Sequence, residues 1–427
     1  MKQRQISHPV LMFLILIAHS AMLLLVILTL GFSPEVVKLS CAVLAADFVG
    51  SIILSLVHRQ ACTVDMVLLL VLGMSTIYQS CFGGVDFNLK HYIFGIAAFA
   101  ACQLSYLMVR NPFRAEQRKP LWYAMFFLLA AAIFFLTGSR GIWIDLKFIT
   151  IQPSEFVKPV FVLICASSIS TQLRKKSLLG IHYVPDNIGM LFCTALIVTL
   201  QWWCRDLGSL PTFLAVAGFG IVFRFYYLRE KVSLRLVVFL CVCACGLGIA
   251  ALRYAPEYVQ ERLHSDIWAD MSGTGYQQCR ALTAIAEGGW FGKGVGAGTL
   301  HTVAASNTDI VFSSICEEWG LFSGILTVIL VLFLPAAVLT VPPRSYYHAG
   351  LATGVASVFI VQMALNIFGS CNLIPFTGVT IPFISQGGSS MLSSGILAGF
   401  LKAAQAPVLT SSDPRKKTPV ERRKQSA

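Results

Sequence analysis

Long apolar runs broken by short polar segments dominate the chain. At roughly 20 residues per crossing of a ~30 Å hydrocarbon core, they predict spanning helices near 9–31, 34–57, 62–82, 90–109, 121–137, 155–172, 187–203, 208–225, 233–252, 310–341, 348–370 and 387–405. That is about twelve spans in an all-α polytopic membrane protein. The run at 9–31 is too long, and too quickly followed by another, for a cleaved signal peptide. Composition agrees, with 56% hydrophobic and 12% charged residues and a mean hydropathy of +0.74, beyond what a soluble domain tolerates.

Charge then orients the bundle, because basic loops stay in the cytoplasm. With both termini inside, 22 of the 32 Lys and Arg residues fall on that side, including Arg110 to Lys119, Arg174 to Lys176 and Arg224 to Arg235. The net charge of +12 is therefore a topology signal, and no nucleic-acid partner is expected. The basic tail 406–427 reads as disordered and suits contact with anionic membrane lipids. The thirteen cysteines form no CxxC pair, and most lie inside spans as small packing residues. No metal-ligand cluster, P-loop or dinucleotide fingerprint is present.

Under this topology the longer outer segments are 138–155, 253–309 and 371–386, each dense in Gly, Pro, Trp and polar residues. The first leads into a span through QPSEF, where Ser154 and Glu155 sit near the positive helix end and Lys158 lies one turn on. The second contains AEGGWFGKGVGAG, whose backbone can approach a ligand or another helix. Before it, TGYQQCRALTAIAE has helical spacing with Tyr276, Ala281 and Ile285 on one side, which reads as a lid or interfacial helix. The third puts Pro375 and Pro382 inside an apolar stretch, and irregular backbone at membrane depth is tolerated where it lines a cavity or is buried in protein. Asp309 heads a long apolar run, with Glu317 and Glu318 inside it. An unpaired charge there would cost roughly 2.5–3.5 kcal/mol on insertion scales, so both glutamates are expected to be partnered or protonated.

Taken together, WIDL and IQPSEF (143–156), DLGS (206–209), GYQ followed by AIAEGGWFGKGVG (275–296), TDIVFSSICEEWGLFSG (308–324) and N-x5-N-LIPFTGVTIPFISQGGSS (366–390) resemble one family. It is the SEDS family (shape, elongation, division and sporulation), which includes FtsW, RodA and SpoVE. The resemblance implies a ten-span core over 61–405 with the large outer loop 253–309. Residues 1–60 would add a short cytoplasmic tail and two further spans. It also implies a peptidoglycan glycosyltransferase in the bacterial cytoplasmic membrane that joins lipid II units on the outer face and releases undecaprenyl pyrophosphate. The implied partner is a class B penicillin-binding protein.

On that resemblance Asp309 is the catalytic base that takes the acceptor's 4-hydroxyl proton. One carboxylate suffices, because pyrophosphate leaves without a strong general acid. Lys293, Arg280 and Arg262 are the implied cations for the pyrophosphate, alongside a divalent ion such as Mg2+ or Mn2+. Trp143, Glu155, Lys158, Asp206, Gln277, Ser389 and Ser390 are the further substrate-facing positions. Glu317, Glu318, Asn366, Pro375 and Pro382 are assigned supporting roles. The chain departs from the family pattern at Ala304 and Ala305 (usually Pro-Glu), at Ile142 (usually Arg), at Cys204-Arg205 (usually Gln-Pro) and at Gln386 (usually Tyr). Two other readings stand beside the enzyme. One is a weak or inactive scaffold for a transpeptidase, favoured by these departures. The other is a lipid-precursor flippase or transporter, suggested by intramembrane Asp47 and Asp65.

Overall fold

The computed structural model describes residues 8–57, 62–137, 141–145, 150–170, 176–178, 181–183, 185–206, 208–228, 275–340 and 345–405, with isolated positions between 253 and 273. The helices are α1 (His8–Leu30), α2 (Pro34–Val57), α3 (Thr63–Cys81), α4 (Leu89–Val109), α5 (Pro112–Gln117), α6 (Lys119–Ala132) and α7 (Pro153–Ser170). They continue with α8 (Pro185–Trp203), α9 (Leu210–Leu228), α10 (Tyr276–Gly288), α11 (Val311–Leu339), α12 (Tyr346–Ser370) and α13 (Gly388–Gln405). Eleven of the expected spans therefore have helices, and the one at 233–252 lies outside the described residues. Among the described residues seven helices are long and apolar enough to cross a membrane. The protein is an integral membrane protein.

Three details differ from the expectation. The span at 121–137 ends in a π-helical turn, Ile133–Thr137, after α6. Two short antiparallel pairings interrupt the all-helical pattern: β1 (Ile144–Asp145) with β2 (Thr150–Ile151), and β3 (Lys176–Leu178) with β4 (Ile181–Tyr183). On α10 the expected side packs only in part, through Ala281 and the partly buried Ile285. Gln278, Cys279, Ala281, Ala284 and Gly288 are buried, whereas Tyr276 is 42% exposed. Small residues at 281, 284 and 288 let the helix come close to α11, which a tyrosine would prevent.

α3 is the central post. It is buried along most of its length and packs against α1, α2, α4, α11 and α13. The α4–α13 seam is built on small residues. A Cβ on Gly395 would lie 2.3 Å from the Ala98 carbonyl oxygen, and one on Gly399 would lie 1.9 Å from Ser105 Oγ. Between helices in lipid there is little hydrophobic drive, so this close backbone approach supplies the packing energy. At the far end Lys402 Nζ meets Asp65 Oδ2 at 2.7 Å, and Gln103 Nε2 donates to Asp65 Oδ1 at 3.0 Å. That buried pair neutralises one of the two intramembrane aspartates and joins the start of α3 to the end of α13.

Candidate active site

The end of the bundle where α3 stops and α11 starts, beside α10, is held by backbone carbonyls and polar side chains. Ala305, at φ 62, ends the segment before the Thr308-Asp309 pair, and its carbonyl gathers the N–H groups of Thr308, Asp309 and Ile310 at 3.1, 3.0 and 3.3 Å. The cap position of α11 is Ile310, with no side-chain capping bond, so the Asp309 carboxylate does not serve the helix N–H groups. Among the described residues it has no ion pair either. It is half-buried, and burial pushes its pKa up from 3.8 to about 6 against a small opposing hydrogen bond from Thr308.

The third loop faces this carboxylate. A Cβ on Gly378, at φ +68, would lie 3.3 Å from Asp309 Oδ2. Asn366 Nδ2 donates to the carbonyls of Asp309 and Val379, both at 2.7 Å. Ser385 Oγ donates to the Thr308 carbonyl at 2.6 Å. The Gln386 N–H reaches the Asn307 carbonyl at 2.8 Å, and from α3 Gln79 Nε2 donates to that carbonyl at 2.9 Å and to Ile384's at 2.8 Å. Asn366, Gln79, Ser385 and Gln386 therefore brace the Asp309 turn, and Gly378, between Pro375 and Pro382, stands against its carboxylate. Gln79, Ser385 and Gly378 were not singled out from sequence. The available signal was a glutamine inside an apolar span, which must find partners in the bundle.

The two glutamates of α11 are fully engaged. Glu317 Oε1 accepts from Thr299 N–H at 3.0 Å, Thr299 Oγ1 at 3.1 Å and Lys293 Nζ at 3.2 Å, while Oε2 accepts from Leu300 N–H at 2.9 Å. Glu318 accepts from Gly83 N–H at 2.7 Å and Gly296 N–H at 2.8 Å. The glycine-rich loop is thus wrapped on α11. Lys293 N–H and Gly294 N–H reach the carbonyls of Glu317 and Glu318 at 2.8 and 3.2 Å, next to the kink at Gly320 (φ 85, ψ 162). A Cβ at Gly292 would stand 2.2 Å from the Glu318 carbonyl oxygen. The close approach anticipated for this loop is made to a helix.

The remaining expected positions fall into separate groups. Lys293 also pairs with Glu287, and that bond leads the causes raising its pKa. Arg280 is half-buried beside Glu287, Thr299 and Glu317, with a buried Nε that has no partner. Gln277 Nε2 donates to the Ala304 carbonyl at 3.2 Å, on the segment leading to Asp309. Asp206 collects Gln152 Nε2 at 3.2 Å, Ser154 Oγ at 3.3 Å and Ser209 N–H at 3.3 Å. Ser389 Oγ lies 3.5 Å from Gln152 N, and Ser390 Oγ shares a 2.7 Å bond with Thr380 Oγ1. The Asp206 group reaches the third loop where a Cβ on Gly208 would lie 2.5 Å from the Thr377 carbonyl oxygen. Glu155 and Lys158 form a buried pair at 2.5 Å, Trp143 is 51% exposed, and Arg262 lies outside the described residues. No group of three or more His, Cys, Asp or Glu side chains that could hold a metal occurs among the described residues.

Residues 54–408 match the cell cycle protein family of FtsW, RodA and SpoVE. The chain belongs to this family. The helices α1 and most of α2 precede the matched region. The chain is 33% identical over 311 residues to the peptidoglycan glycosyltransferase RodA of Mycobacterium tuberculosis, covering 69% of this chain and 64% of that protein. It is 31% identical over 271 residues to the stage V sporulation protein E of Bacillus subtilis, covering 62% and 70%. Among solved structures it superposes on a chain of a peptidoglycan synthase complex that coordinates polymerization and crosslinking, with a TM-score of 0.60 at 22% identity, over 80% of this chain and 96% of that one. The Thermus thermophilus rod shape determining protein RodA gives a TM-score of 0.51 at 19% identity, over 80% and 95%. These likenesses establish the fold of the family member.

Proposed function

We propose that this family member is a peptidoglycan glycosyltransferase that polymerises lipid II on the outer face of the cytoplasmic membrane, with Asp309 as general base. The observation that carries the reading is a half-buried carboxylate that neither caps its helix nor pairs with a cation, on a turn braced from two sides. Burial puts its pKa at about 6, so it is ionised at neutral pH yet basic enough to accept a proton, as a general base requires. The names of the relatives support the same reaction class.

In the proposed step Asp309 removes the proton of the acceptor's 4-hydroxyl as that oxygen attacks the donor's anomeric carbon. The bond from that carbon to the pyrophosphate oxygen breaks, and undecaprenyl pyrophosphate leaves with the electron pair. Fixed positive charge stabilises the departing anion. Arg280 suits this best, because Lys293 is held by two carboxylates; a divalent cation is the competing source. The transpeptidase partner would be a class B penicillin-binding protein, a reading supported by the structural likeness to a synthase complex. Both termini would face the cytoplasm.

Purified protein incubated with fluorescent lipid II, alone and with a co-expressed class B penicillin-binding protein, should give a ladder of glycan chains. Absence of chains in both cases would leave the scaffold reading, with Ala304 and Ala305 the first positions to restore.

A further inference from the structure

Outside the Asp309 site, α2, α3 and α4 enclose a cavity of about 290 Å³, near the lower end of the roughly 300–1,000 Å³ of ligand pockets. Its wall is almost wholly apolar, including Val43, Val49, Leu69, Leu72, Ile96 and Phe99, and one carboxylate, Asp47, stands in it. The side toward the bilayer is open: Val49, Ile53 and Ile96 line the cavity and are 52%, 43% and 51% exposed.

Asp47 is 4% exposed, and its protonation logic follows from its partner. Nε2 of His19 lies 3.0 Å from the Leu70 carbonyl oxygen, which can only accept, so Nε2 carries a proton. Nδ1 of His19 lies 2.7 Å from Asp47 Oδ2, and the proton between them sits on one or the other. In both cases Asp47 Oδ1 is an acceptor, and no described residue donates to it. Asp47 lines the cavity, and in apolar surroundings an acceptor without a donor forgoes a hydrogen bond it would make in water. The pair is built into the packing: a Cβ at Gly73 would lie 2.2 Å from the His19 ring.

We infer that this cavity, formed with the N-terminal helix pair, binds a single-chain lipid bearing a hydroxyl, which enters from the bilayer and donates its hydroxyl hydrogen to Asp47 Oδ1. An alkane would fill the apolar wall and leave the acceptor empty. A lipid with only acceptors would meet it with like polarity.

The test uses the full-length protein in phospholipid vesicles with a diazirine-bearing fatty alcohol as photoprobe. Labelled peptides should map to 43–53 and 92–99. Dodecanol should compete about tenfold better than dodecane, the ratio expected for one buried hydrogen bond. Asp47→Asn, which retains an acceptor, should keep labelling, and Asp47→Leu should remove the preference for the alcohol. As a variant without a polar change, Gly95→Leu should abolish labelling, because a Cβ there meets nothing nearer than Leu72 Cδ2 at 3.9 Å and the side chain grows into the cavity. Equal competition by dodecane, or labelling of those peptides undiminished in Gly95→Leu, would overturn the inference.

Discussion

The glycine-rich loop gives a matched pair of substitutions that separates helix packing from ligand approach. Gly292 and Gly294 both have positive φ, at +81 and +113, so alanine at either carries a backbone penalty of roughly 1–2 kcal/mol. Only Gly292 lacks space. Its Cβ would lie 2.2 Å from the Glu318 carbonyl oxygen, whereas nothing lies within 4 Å of one at Gly294. Relieving that overlap means moving the loop off α11 by about an ångström, beyond the reach of the 2.8 and 3.2 Å bonds from Lys293 and Gly294 N–H. Two bonds at about 1–1.5 kcal/mol each, added to the shared strain, put Gly292→Ala near 3–5 kcal/mol and Gly294→Ala near 1–2 kcal/mol. Reversible unfolding in mixed detergent micelles, followed by circular dichroism, measures both. Equal losses for the two variants would refute the packing account. So would a Gly292→Ala protein of normal stability that fails to use lipid II, since the loop would then approach the ligand.

The remaining predictions test the carboxylates and the charge around them. Asp309 has a folded pKa raised to about 6 from 3.8, so its neutral form is favoured in the fold; the cost of ionising it appears as pH rises from about 4 to 6 and is constant above. Asp309→Asn should therefore gain about 1–3 kcal/mol at pH 7.5 and little at pH 4, read by thermal unfolding at the two pH values. Wild-type turnover should fall about tenfold per pH unit below 6. Glu317→Ala strands the N–H groups of Thr299 and Leu300 while Lys293 keeps Glu287, and should cost about 2–4 kcal/mol in the same unfolding assay. Arg280→Ala should lower lipid II turnover at least tenfold with stability nearly unchanged, and activity should survive chelation by EDTA. Loss on chelation, regained with Mg2+ or Mn2+, would assign the charge to a metal instead.

The spans were legible because apolar runs of membrane length have few alternatives in lipid, and the helices start and stop within a few residues of the expected positions. The engaged state of Glu317 and Glu318 was also foreseeable, since a buried unpaired charge is costly. Their partners were not, because backbone N–H groups of a loop carry no residue signature. Lys293 read as a free cation for phosphate, yet Glu287 and Glu317 hold it, and six residues of sequence separation hid that pairing. The departures at Ala305 and Gln386 looked like losses. In the structure Ala305 closes the turn through its carbonyl, and Gln386 reaches the Asn307 carbonyl through its N–H and accepts from Asn307 Nδ2 at 3.4 Å through its side chain, so the backbone holds the first place and backbone and side chain together hold the second.

The account rests on Asp309 acting as a base and not as a structural residue. The most direct measurement compares wild type and Asp309→Asn, purified with the same class B penicillin-binding protein, for conversion of fluorescent lipid II into glycan chains at pH 7.5. Wild type should give chains, and the variant should lose ~10²–10⁴-fold or more in rate while matching or exceeding wild-type thermal stability and retaining the partner. An Asp309→Asn protein that polymerises lipid II at the wild-type rate would contradict the account.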